Sequence, residues 1–191
     1  SDLLVTLFAS ELSVHTMEDF KRATRKIFPQ AKVVGLAAEC GFAKGKMWSG
    51  EDDLPDAASA VVTFTFFSSS RVIPLAFDEQ SDISAAAKGL VQTISQEKAT
   101  KAVGLFFAAQ VPCIMNLLDA LSDVDEEIVL FGGLLSDQMD ERRITIDLAG
   151  HRMSRGFLAV VFVGEELHAK AQISFGWKPF GPEVQITRMA D

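Results

Sequence analysis

The sequence predicts an α+β chain of two packed mixed β-sheets with helices outside, an αββα-like arrangement. Three observations lead there. Apolar runs of strand length alternate with amphipathic helical stripes along the 191 residues. Apolar residues make up 48% and charged residues 23%, the balance of a folded globular chain. The two parts of the chain also repeat one order of elements. That suggests an internal duplication of a β-α-β-meander unit, with half-units at about 1–80 and 100–176 in a single domain of 1–191.

In chain order, residues 3–9 form a compact apolar run and read as a buried strand. Met17, Phe20, Thr24, Ile27 and Phe28 recur at helical spacing, with His15 or Thr16 near the start and Pro29 as the stop. Residues 32–38 read as a second buried strand. Residues 41–55 read as loop with a short strand at 46–48. Residues 58–67 and 71–77 are strand runs joined by Ser68-Ser69-Ser70, a hairpin signal. Asp82 is expected to cap a helix with Ile83, Ala87, Leu90, Val91 and Ile94 on one face.

Residues 101–108 read as a strand. Pro112 suits the first turn of a third helix striped by Ile114, Leu117, Leu118 and Leu121. Residues 127–134 and 143–148 follow as strands. Residues 157–163 and 167–175 read as a hairpin across Gly164-Glu165-Glu166. The chain ends in Gly176-Trp177-Lys178-Pro179-Phe180-Gly181-Pro182, where fixed proline φ angles and permissive glycines make a stiff, shaped turn. A strand-like run then stops at Asp191, which reads as a piece cut from something longer.

Composition excludes several functions. The net charge is −8, no basic run exceeds Lys21-Arg22 or Arg142-Arg143, and nucleic-acid binding is not expected. The longest apolar run, residues 128–135, is too short to span a bilayer. Cys40 and Cys113 stand far apart without a CxxC, the usage of a reducing compartment, with one disulfide left open. There are fifteen Phe and no Tyr, so tyrosine chemistry is ruled out.

Strands 32–38 and 127–134 both end in glycine and small residues, and ligands in open α/β arrangements bind beyond strand carboxyl ends. Gly35, Ala37 and Glu39 with Gly132, Gly133, Ser136 and Asp137 are therefore the ligand-site candidates. The structural alternative, which takes precedence on sequence alone, is that these glycines let a helix pack close to the sheet. Neither segment is a phosphate loop. His15 reads as exposed or capping and His151 as a hairpin-tip residue. His168 shares a strand face with Lys170, Gln172 and Ser174. No histidines stand at metal-ligand spacing, so no metal site is expected. Nothing resembles GxSxG or HExxH, which leaves catalysis unsupported.

With these segments in hand, the chain resembles the N-terminal FIST domain, a sensory module of signal-transduction proteins. The resemblance spans almost the whole chain. It rests on Val33-Val34-Gly35-Leu36-Ala37-Ala38, on Gly132-Gly133-Leu134-Leu135-Ser136-Asp137, and above all on Gly176-Trp177-Lys178-Pro179-Phe180-Gly181 followed by Ile186-Thr187. The family turn usually carries Ser and Thr where this chain has Ala37 and Ala38, and the acid comes early as Glu39.

The resemblance implies a non-catalytic, cytoplasmic input domain without a cofactor. It would bind a small metabolite such as an amino acid at a seam between the halves. Trp177, Pro179, Gly181 and Pro182 would connect it to a C-terminal FIST part and an output signalling domain. The alternatives are a haem-binding nitric-oxide sensor, with His168 or His151 as axial ligand, a hydrolase on an αββα scaffold using Ser136, Cys40 or Cys113, and a pure interaction domain.

Overall fold

The computed structural model describes residues 2–9, 12–37, 40–43, 46–49, 60–78, 83–108, 114–122, 124–135 and 146–172. The statements below concern those residues. β1 (Asp2–Ala9) runs into α1 (Val14–Ile27) and then β2 (Lys32–Ala37). The helix begins at Val14, one or two residues before the start that the sequence suggests. Ser13 is its N-cap, accepting from the Thr16 N–H at 3.0 Å, and Phe28 before Pro29 ends it. β1 and β2 pair in parallel, so the three elements form a βαβ unit. β3 (Cys40–Ala43) and β4 (Lys46–Ser49) form a separate two-stranded ladder.

β5 (Ala60–Phe67) pairs antiparallel with β1 over all eight residues. β6 (Arg71–Asp78) then leaves that sheet. This corrects the hairpin expected at Ser68-Ser69-Ser70, because the two strands do not pair with each other. Val72 is fully buried between the sheets and Phe67 packs against the same core, so the serine turn folds sheet onto sheet instead of strand onto strand. Asp2 pins the corner by accepting from the Lys32 ammonium and from the Val72 N–H at 2.9 Å. Burial pushes the Asp2 carboxyl up, but the bonds from Lys32 and Val72 outweigh it and hold the carboxyl below its usual range.

α2 (Ile83–Gln96) leads to a second βαβ unit: β7 (Thr100–Phe107), α3 (Ile114–Leu121) and β8 (Val129–Leu134), with β7 and β8 parallel. The hairpin β9 (Ile146–Leu148) and β10 (His151–Met153) returns to the first sheet, and β11 (Gly156–Val163) completes the second. The five-stranded sheet runs β10-β9-β2-β1-β5 and the four-stranded sheet β6-β11-β7-β8. Each part of the chain thus supplies strands to both sheets: β6 from the first part, and β9 and β10 from the second.

The expected strand over 167–175 does not form across its described residues, 167–172. The reason is topological. β11 is flanked by β6 on one edge and β7 on the other, so it offers no free edge to a hairpin partner. Asp82, Pro112 and residues 143–145 lie outside the described residues.

Alternation decides the layers. Leu4, Val34, Leu36, Ile146 and Met153 of the first sheet meet Val72, Leu158 and Val160 of the second. On the far side of the second sheet, Val103, Leu105, Phe107, Phe157, Ala159 and Val161 lie under Ala87, Leu90 and Ile94 of α2 and Leu117 and Leu121 of α3. On the far side of the first sheet, Leu7 and Ala9 lie under Met17 of α1. The order is helix, sheet, sheet, helices, as the sequence predicts.

Candidate functional site

The side chains with the most unusual placement converge where α1 meets the β9–β10 hairpin. On β9, Ile146 and Leu148 face the inter-sheet core. Asp147 between them faces α1, paired in register with Gly35 of β2. Asp147 is 0% exposed. A carboxylate there is tolerable only with full pairing, and it has three donors. The Lys21 Nζ lies 2.6 Å from its Oδ1, the Gly150 N–H donates to the same oxygen at 3.3 Å, and the Arg152 Nε donates to Oδ2 at 3.3 Å. The Lys21 side chain is itself only 8% exposed.

The network runs outward from there. Arg152 uses a second nitrogen, Nη2, to reach Glu18 Oε1 at 2.8 Å. Its bond to Glu18 drives the guanidinium further toward the charged form; burial opposes this and Asp147 adds to it. Glu18, Lys21, Arg22 and Arg25 stand at i, i+3, i+4 and i+7 on α1 and so share a stripe facing the hairpin. Together with Lys26, Arg152 and the Ala149–Gly150 turn they line a groove of about 530 Å³. That is the size of a small-ligand site.

The groove is electropositive on an acidic chain. Lys21 and Arg152 are committed to Asp147 and Glu18, and Arg22 pairs with Asp19 on the exposed surface. Arg25 and Lys26 have no acidic partner among the described residues. They sit in the last turn of α1, where cations also offset the helix dipole. The far wall is a tight turn with positive φ at both central residues, Ala149 at 54° and Gly150 at 99°. That is the geometry of a two-residue hairpin, and it is uncomfortable for alanine. Chemically, the site offers two cations without an acidic partner among the described residues, a carboxylate at Glu18 and a charged floor. It can hold a small anion or zwitterion. No group of three or more metal-ligating side chains occurs among the described residues.

The sequence-derived candidates fall as follows. A Cβ on Gly35 would lie 2.6 Å from both the sulfur and the methyl of buried Met17, so the glycine is the close approach of α1 to the sheet. It is also the register partner of Asp147, which puts it beside the floor of the groove. Ala37 is half-buried against the Leu7–Met17 cluster. Gly132 has φ 140°, and a Cβ there would strike the Leu105 carbonyl at 1.8 Å; Gly133 faces open space. The two glycines stand on β8, at the edge of the other sheet. Glu39, Ser136, Asp137, Trp177, Pro179, Gly181 and Pro182 lie outside the described residues, as does Cys113. His151 and His168 are both exposed.

A family model, FIST N domain, matches residues 3–191. This chain belongs to the FIST N family. FIST domains are sensor modules of signal-transduction proteins. No curated protein matches the chain closely enough to be compared. No helix among the described residues is long and apolar enough to cross a membrane.

Sequence reasoning passed over Lys21, Asp147, Arg152 and Glu18. One signal was present: Lys21 falls on the apolar stripe of α1, one turn from Met17 and beside Phe20 and Thr24. A lysine on a buried stripe implies a buried anion to meet it. The sequence could not name Asp147, because alternation alone puts that residue on a solvent face.

Proposed function

We propose that this FIST N domain is a non-catalytic, cytoplasmic input module that binds a small carboxylate, such as an amino acid, in the groove between α1 and the β9–β10 hairpin. The observation that carries the reading is the buried Lys21–Asp147–Arg152 network beneath an open, electropositive groove. A ligand carboxylate would meet Arg25 and Lys26, and its ammonium would meet Glu18. Gly35, the register partner of Asp147, belongs to the floor of this site.

The location suits signalling. α1 and β2 come from the first part of the chain and β9 and β10 from the second, so the groove lies across the seam between them. A ligand shifts a conformational equilibrium only by its differential affinity for two states. One that draws Glu18 away from Arg152 would favour a changed spacing of helix and hairpin, with a coupling of roughly 1–3 kcal/mol. The response would pass through Trp177, Pro179, Gly181 and Pro182 to a C-terminal FIST part and an output module.

The test is calorimetry and thermal shift with the twenty amino acids and small dicarboxylates. At a hundredfold excess over Kd a true ligand stabilises by about 2.7 kcal/mol, roughly a 5–10 °C rise in Tm for a chain of this size. The double variant Arg25→Gln/Lys26→Gln is expected to abolish the rise. No response from any compound, or an unchanged response in the variant, would rule the site out.

A further inference from the structure

Among the described residues the two-sheet order leaves four strand edges unpaired: β10 and β5 in the first sheet, β6 and β8 in the second. An open edge presents unpaired N–H and C=O groups, and soluble proteins blunt such edges. Three of the four are blunted. β10 has only three residues, and two of them are His151 and Arg152. β6 carries Pro74, which has no N–H to give, and is charged at both ends by Arg71 and Asp78. β8 carries Gly132-Gly133, with Gly132 at a φ of 140° that breaks a flat edge.

β5 has none of these devices. Its eight residues, Ala-Val-Val-Thr-Phe-Thr-Phe-Phe, include no charge, no proline and no glycine. Its ladder to β1 is continuous through all eight pairs, without a bulge. Among the described residues nothing pairs with its outer edge. Val62, Phe64 and Phe66 point to the α1 side, where Phe28 packs against Phe64 and Phe66 with ring centroids 6.0 and 5.9 Å apart. Phe66 is 66% exposed, Phe64 49% and neighbouring Ile27 71%. Among the described residues, the second sheet covers its outer face with two helices, whereas the first has α1 alone and leaves this lane open.

We propose that β5 is a homodimer edge, pairing antiparallel with β5 of a second copy about a two-fold axis at Phe64. The strand is self-complementary in that register. Val62 lies opposite the partner's Phe66, Phe64 opposite the partner's Phe64, and Thr63 opposite the partner's Thr65. Aromatic with β-branched, aromatic with aromatic and threonine with threonine are the favourable cross-strand pairings. All side chains keep their faces, and the two sheets join into one of ten strands. An isologous contact of this kind closes on itself and does not polymerise. Because β5 is uncharged while each copy carries a net charge of −8, added salt should strengthen the dimer by screening long-range repulsion. The interface is a single strand pair with a few flanking rings, so a dissociation constant on the order of micromolar is expected.

Sedimentation velocity over a concentration series tests this on the full chain. The mass is expected to rise from 20.8 kDa toward twice that value, and to do so at lower concentration in higher salt. Phe64→Lys, which places two ammonium groups opposite each other on the axis, is expected to weaken association at least tenfold. Val62→Lys/Phe66→Lys should do the same. Val62→Lys/Phe66→Glu sets opposite charges face to face twice and should retain the dimer, with the salt dependence reversed. Far-UV circular dichroism and Tm confirm that each variant folds. A chain that stays monomeric throughout overturns the proposal, and protection of the β5 outer amides in that monomer would assign the edge to another segment of the same chain. A dimer indifferent to Phe64→Lys, or a charge-swapped pair that fails to associate, overturns it equally.

Discussion

The two outer faces of the sandwich are built on opposite principles. On the second sheet, α2 and α3 press Ala87, Leu90, Ile94, Leu117 and Leu121 onto Val103, Leu105, Phe107 and Phe157, and among the described residues no buried charge lies in the layer. On the first sheet, Met17 of α1 joins Leu7, Ala9 and Leu12 in a smaller apolar cluster, and the helix is held in addition by the Lys21–Asp147 pair. An apolar interface is close-packed and has one arrangement. A charge network has alternative pairings that a charged ligand can select. The contrast teaches where the fold is fixed and where it is adjustable, and it puts the adjustable face over the seam between the two parts of the chain.

The comparison can be broken by substitution. The largest effects are expected on both faces but with different character. Phe157→Ala, in the apolar layer, should cost about 3–5 kcal/mol and show no dependence on salt in urea unfolding. Lys21→Met should cost a similar amount, about 3–5 kcal/mol, because it strands a buried carboxylate. The distinguishing result is rescue: Lys21→Met/Asp147→Leu should recover most of the loss, since a well-packed apolar pair can replace a buried ionic one. Equal losses without rescue would mean that the two faces do not differ in kind.

Asp2 gives a smaller effect with a pH signature. Its carboxyl is held below its ordinary value of 3.8 in the folded chain. Stability from it is therefore fully present above that value and fades as pH falls through the lower folded value. Asp2→Asn should cost about 1 kcal/mol at neutral pH, and wild type and variant should converge in strong acid. A cost that persists at the lowest pH would show that the corner at Val72 does not depend on the charge.

The smallest change concerns the groove wall. Ala149→Gly should stabilise by about 1 kcal/mol, since alanine stands at φ 54° and glycine does not resist that conformation. A loss of stability would indicate that the Ala149 methyl has a packing role in the groove.

Much of this was legible in the sequence, for reasons that are local. Residues 3–9, 32–38 and 101–108 read as apolar runs of strand length, and the stripes of α1, α2 and α3 have helical period, so the elements and their layers follow. What failed was non-local. Ser68-Ser69-Ser70 reads as a hairpin turn because turn residues say only that the chain reverses, not which sheet it joins. Residues 167–172 have strand alternation, but β11 had no edge left for them. Asp147 looks exposed from its neighbours Ile146 and Leu148 and becomes buried only because β2 and α1 close over it. Gly35 was legible in its packing sense: it does let α1 pack close to the sheet.

The most direct measurement of the central claim is a map of amide shifts in the ¹⁵N-labelled chain on titration with the amino acid that gives the largest thermal stabilisation. The expected result is a cluster of perturbations at Glu18, Lys21, Arg25, Gly150 and Arg152, extending to Gly35 and leaving Leu90 and Leu117 unmoved. Perturbations centred on Phe131 and Gly133 of β8, or none at all, would contradict it.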